Sequence, residues 1–125
     1  VIYLTLRDLE RIARRAIGPD VRVRDAGLLE AACARARTTV LGADAYPSLA
    51  EKSAALVHSL AKNHPLLDGN KRLTLAGLIV FLGVNGRRLV WSNDEAYDFI
   101  MDVAEGRLDD VVVIAERIEA GSDAR

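Results

Sequence analysis

Hydrophobic residues recur at three- and four-residue intervals along most of the chain, the spacing of helices that bury one face. Leu6, Leu9, Ile12, Ala13 and Ala16 form a first stripe. Thr5 with Asp8 opens it as a weaker relative of the capping box, and Gly18-Pro19 stops it. Asp25 caps a second helix that carries Leu28, Leu29, Ala32 and Cys33 and is expected to reach about Val40. Gly42 to Pro47 reads as a loop. Ser48 with Glu51 is a good capping box for a third helix, with Leu49, Leu56, Val57, Leu60 and Ala61 as its stripe. That helix must end near Asn63-His64, because a proline disfavours helical geometry at the residue before it and Pro65 follows.

A fourth helix is predicted from Gly69-Asn70 to Val84-Asn85, with Gly86 just past its end. Leu73, Ala76, Val80 and Val84 lie on one side of it, and Leu75, Leu78, Ile79 and Leu82 on another. A helix apolar all round belongs in the centre of a bundle. Arg87 to Trp91 reads as extended; Ser92 with Glu95 caps a fifth helix to about Glu105, stopped by Gly106. Asp109 opens a last helix through Val112, Ile114, Ala115 and Ile118, and the tail from Gly121 to Arg125 is expected to fray. The sum is an all-α bundle of about six helices around a central apolar helix at about 70–85, in one domain spanning 1–125.

Composition narrows this picture. A chain of 125 residues buries roughly two-thirds of the surface it exposes when unfolded, enough for a real core. Half the residues are hydrophobic but only 5% are aromatic, so that core must be aliphatic. Lys+Arg 17 against Asp+Glu 18 leaves a net charge of -1, which argues against a nucleic-acid binder acting through bulk charge. Cys33 is the single cysteine, so neither an internal disulfide nor a cysteine zinc cage can form, and it reads as a small core residue. The longest apolar run, Leu73 to Val84, is interrupted by Thr74 and two glycines and is too short to span a membrane. Arg7, Asp8, Glu10 and Arg11 break up the first residues, so no signal peptide is read there and a cytoplasmic protein without a membrane partner is expected.

The chemistry concentrates in His64-Pro65-Leu66-Leu67-Asp68-Gly69-Asn70-Lys71-Arg72. A helix N-terminus carries partial positive charge and prefers acids in its first turn. Here Lys71 and Arg72 occupy that turn, at a cost of roughly 0.3–1 kcal/mol per exposed cation. The placement makes sense if an anion fills the site, held by the backbone N–H groups of Gly69, Asn70 and Lys71 and by the two cations. Otherwise both cations simply point into water. Asp68 offers a hard oxygen of the kind that holds Mg²⁺ together with phosphate oxygens, or else it is an ordinary N-cap. His64 precedes the anion site, and histidine is the residue type suited to accept a proton near neutral pH; the alternative is a satisfied histidine at a helix C-terminus. His58 lies on a different helical face, which argues against a two-histidine metal site. No phosphate loop of the G-x-x-x-x-G-K-[ST] kind is present.

These nine residues resemble the signature of the Fic/Doc family, H-P-F-x-x-G-N-G-R with an acid before the glycine. Lys71, in place of the second glycine, is similar to the Doc branch, whose motif reads H-x-F-x-x-A-N-K-R. Phe81-Leu82-x-x-Asn85-Gly86 and the helical pattern extend the resemblance over most of the chain. Leu66 departs from the usual Phe, and Gly69 follows the Fic form rather than the Ala of Doc. The resemblance implies His64 as general base on a protein hydroxyl and Asp68 as the Mg²⁺ ligand. It implies Gly69, Asn70, Lys71 and Arg72 as the clamp on the phosphates of ATP. It further implies transfer of the γ-phosphate, a translation factor such as elongation factor Tu as target, and a separate antitoxin whose disordered C-terminal segment folds into a groove. The family's inhibitory motif [S/T]-x-x-x-E-[G/N] is absent. The loop from Gly42 to Pro47 is where the resemblance places a flap for the target peptide, against the plain reading of a connecting loop. AMP transfer, and a silent binding module of the same fold, are the alternatives. A nuclease fits poorly, for want of a carboxylate cluster or a basic aromatic face.

Overall fold

The computed structural model describes residues 1–125. Six helices account for most of the chain: α1 (Leu6–Ala16), α2 (Ala26–Ala36), α3 (Leu49–Asn63), α4 (Asn70–Val84), α5 (Asn93–Ala104) and α6 (Val111–Ala120). Four short strands complete it: β1 (Thr39–Val40), β2 (Ala43–Asp44), β3 (Arg87–Leu89) and β4 (Ser122–Ala124). The all-α bundle expected from the periodicity is what forms.

The apolar pattern of α4 has a structural explanation. Two cores meet across α3 and α4. In the first, Leu78 and Leu82 of α4 pack with Ala54, Val57 and Ala61 of α3 and with Phe99, Ile100, Val103, Ile114 and Ile118. In the second, Leu73 and Phe81 pack with Leu56 and Leu60 of α3 and with Leu9, Leu29, Ala32 and Cys33. Helix α4 therefore buries two faces, one in each core. Helix α3 does the same and is buried along most of its length, its alanines letting neighbouring helices approach closely. Only Ile79 and Val84 remain exposed among the large apolar residues of α4. Cys33 is buried in the second core, and burial pushes its thiol up to about 11, which suits packing rather than nucleophilic chemistry.

Three boundaries differ from the sequence reading. Helix α2 stops at Ala36, not near Val40, because Thr39 and Val40 pair with Asp44 and Ala43 in an antiparallel hairpin. β-Branched residues suit a strand, and Leu41 and Gly42 take positive φ at its tip, the geometry of a tight two-residue turn. The last helix is capped by Asp110 rather than Asp109, whose carboxylate pairs instead with His58 Nε2 at 2.8 Å. The tail does not fray: Ser122 to Ala124 pair with Leu89 to Arg87. Gly121 makes this closure possible, since a Cβ there would lie 2.1 Å from the Trp91 ring.

Candidate active site

The turn between α3 and α4 is built by contacts from a distant part of the chain. His64 closes α3 in the left-handed conformation, with φ 50 and ψ 63, as Pro65 forbids another helical turn. Arg24 stabilises that end: its Nε donates to the His64 carbonyl at 2.8 Å and an Nη donates to the Asn63 carbonyl at 2.7 Å. The N–H groups of Arg24 and Asp25 both donate to the Pro65 carbonyl, and Leu67 N–H donates to the Arg22 carbonyl. Leu66, where the motif usually has Phe, is buried in the second core and bridges to Val23. The backbone of His64 is thus fixed while its imidazole makes no hydrogen bond within the chain.

Asn70 closes the turn from the other side. Its Oδ1 accepts from Leu66 N–H at 2.9 Å and its Nδ2 donates to the Leu66 carbonyl at 3.0 Å. The side chain of Asn70 is therefore spent on holding the loop, which leaves only its backbone N–H for an anion. Gly69 stands at the N-cap with φ 90. A Cβ there would both strain the backbone and come within 2.6 Å of Ile17 Cδ1, which explains Gly rather than Ala at this position in this chain. Asp68 is not the N-cap. Its Oδ1 accepts from Gly69 N–H at 2.9 Å, and the residue is exposed.

The result is an open helix end. No side chain caps α4. The N–H groups of Asn70, Lys71 and Arg72 have no partner in the chain, and neither do the side chains of Lys71 and Arg72. The first intrahelical bond runs from Leu73 N–H to the Gly69 carbonyl at 2.9 Å. All six predicted residues, His64, Asp68, Gly69, Asn70, Lys71 and Arg72, line one open cavity of about 550 Å³. Its remaining wall comes from Ala61, Leu67, Leu75, Asn93, Tyr97 and Ile100. Three free backbone donors, two free cations, an imidazole and a carboxylate around one space can receive a polyanion and place a base beside it.

Residues 3–82 match the Fic/DOC family. The chain belongs to that family. A relative named Toxin Doc, from Mycolicibacterium smegmatis (strain ATCC 700084 / mc(2)155), is 47% identical over 109 residues, which cover 87% of this chain and 79% of that protein. The nine-residue stretch lies inside the matched region, and so does Arg24.

No local sequence signal points to Arg24, Asn93 or Tyr97. Arg24 acts across 40 positions and leaves no local pattern. Asn93 and Tyr97 are exposed residues four apart at the start of α5, a spacing that marks a shared face but not what it faces. No group of three or more His, Cys, Asp or Glu side chains could hold a metal ion by itself. Asp68 with one carboxylate oxygen left over fits only a cation that takes its other ligands from phosphate and water, the manner in which Mg²⁺ is usually held.

Proposed function

We propose that this chain is a Doc-type toxin that transfers the γ-phosphate of ATP to a hydroxyl side chain of a target protein, a translation factor such as elongation factor Tu, and so arrests growth. The observation that carries the reading is the uncapped start of α4, whose three free N–H groups open beside Lys71, Arg72, Asp68 and His64. The triphosphate sits on the free N–H groups, as anions do at helix N-termini, with Lys71 and Arg72 matching its charge. Leu75, Tyr97 and Ile100 give the cavity an apolar and aromatic wall suited to the purine. Asp68 would hold Mg²⁺, which when bound neutralises charge building on the phosphate oxygens.

The target hydroxyl oxygen attacks the γ-phosphorus. The bond from that phosphorus to the β,γ-bridging oxygen breaks, ADP leaves, and the hydroxyl proton passes to the free imidazole of His64. Lys71 supports phosphoryl over AMP transfer: a long cation stands where the Fic motif has a glycine, so it fills space and places charge at the transferred group. The hairpin of β1 and β2 is the surface for the target. It is exposed throughout, its outer edges are unpaired, and an extended peptide can add to such an edge. Silencing falls to a separate antitoxin with a disordered C-terminal segment that folds on binding. Work in the cytoplasm is in keeping with a chain in which no helix is long and apolar enough to cross a membrane.

Labelled ATP tests the reading with elongation factor Tu as probe. Label from the γ position should appear on the protein, and label from the α position should not. The reverse result would make the enzyme an AMP transferase.

A further inference from the structure

The one charged side chain fully buried in this protein is a lysine. Lys52 is 1% exposed and lies outside the cavity described above. Its Nζ donates to Asp44 Oδ2 at 2.9 Å and to the Tyr46 carbonyl, and it stands 5.9 Å from the centre of the Tyr3 ring. Burial alone would favour the neutral amine. The pairing with Asp44, with the Tyr3 side chain close by, outweighs it and raises the ammonium above the usual lysine value, so the buried charge is kept.

Taking a charge into a core costs desolvation, which Asp44 and the Tyr46 carbonyl offset here. Asp44 ends β2, and Tyr46 follows two residues later. A second cation grips the same segment: Arg35 Nε donates to the Tyr46 hydroxyl at 3.1 Å, and the guanidinium lies 5.7 Å from the centre of the Tyr46 ring. The same guanidinium donates to His58 Nδ1 and Ser59 Oγ of α3. The hairpin itself has two residues per strand and an exposed turn. A two-stranded hairpin is marginal alone, so its pose depends on this polar foundation.

We propose that Lys52 is a positioning residue for the protein target, holding the hairpin in one pose relative to α3, the helix whose far end carries His64. The proposal rests on the reading that the hairpin docks the target. Lys52 and His64 are about 18 Å apart along a helix that rises 1.5 Å per residue. A rigid helix between the two keeps a hydroxyl presented on the hairpin in register with the base.

The test uses Lys52→Met, which removes the buried charge with little change in shape, and Asp44→Asn, which removes its half-exposed counter-charge while keeping a side-chain oxygen that can accept from the ammonium. Amide hydrogen exchange should quicken by about tenfold at residues 39–45 in both variants and stay unchanged in α4. Mg²⁺-ATP affinity should hold, while the inducer concentration needed for growth arrest in bacteria rises. Unchanged exchange in the hairpin, or faster exchange across the whole chain, overturns the anchor. A loosened hairpin with arrest at the same inducer level overturns the link to the target. It removes the docking role of the hairpin while leaving the nucleotide site untouched. If the parent chain causes no arrest at all, the proposed function falls and this inference with it.

Discussion

Helices α4 and α5 start within reach of the same cavity and start in opposite ways. At α5, Ser92 and Glu95 form a full reciprocal capping box, and Asp94 and Glu95 put two acids against the positive end of the helix. At α4, a glycine replaces the cap, two cations replace the acids, and three N–H groups stay open. All the other helices are capped by a side chain, from Thr5, Asp25, Ser48 or Asp110. The sequence is able to cap a helix and does so everywhere but at the nine-residue stretch. Proteins give up local stability of this kind most often at functional sites, which is what the proposed nucleotide site requires of α4.

If that contrast is right, the largest effect should come from the open end. His64→Ala should lower the rate of phosphate transfer by about 10²–10⁴-fold, the usual worth of a general base, with the thermal midpoint little changed because the imidazole bonds to nothing in the chain. Second, Mg²⁺-ATP should supply the missing partners of α4. At about 100 times the parent chain's dissociation constant it should stabilise the fold by about 2.7 kcal/mol, read as a rise in thermal midpoint that Lys71→Ala and Arg72→Ala diminish at that same nucleotide concentration. Third, the closed end should respond in the opposite sense. Ser92→Ala should cost about 1 kcal/mol in urea unfolding and leave nucleotide affinity alone. A change in affinity there would mean that the two helix starts are coupled.

The smallest effect is a pH dependence at the closed end. Hydrogen bonds from the Ser92 N–H and hydroxyl hold the Glu95 carboxyl below its ordinary value of 4.5. A carboxyl whose pKa falls on folding stabilises the fold fully above its unfolded value and loses that contribution as pH drops through the folded value. The thermal midpoint of the parent chain should therefore decline on acidification below about pH 4.5 slightly more steeply than that of Glu95→Gln. Parallel profiles would remove Glu95 from the account of the capping box.

Local signals made much of this legible. Proline after His64, glycine after Asn85 and the Ser-x-x-Glu start of α5 each act within one helical turn, and the structure places those boundaries where the sequence does. The six site residues are legible for the same reason, since they are nearly contiguous in the chain, and they line one cavity. What escaped depends on partners far away in the chain. Arg24 reaches the carbonyls of Asn63 and His64, Lys52 is a core residue only because Asp44, Tyr46 and Tyr3 surround it, and the tail is ordered only because β3 waits for it. The motif points Asn70 at the anion, yet its side chain serves the backbone of Leu66. Helix α2 reads too long from the sequence because Thr39 and Val40 are only weak helix breakers, and pairing with β2 is what turns them into a strand.

Trp91 packs against Gly121 and stands with its ring centre 4.7 Å from that of Phe99, one residue before the cap of α5. It is the single tryptophan in the chain. Indole emission from this protein therefore originates at one known place, where the last strand closes onto the helix bearing Asn93 and Tyr97. The fold carries its own optical reporter there, and an unfolding curve can be followed without attaching a dye.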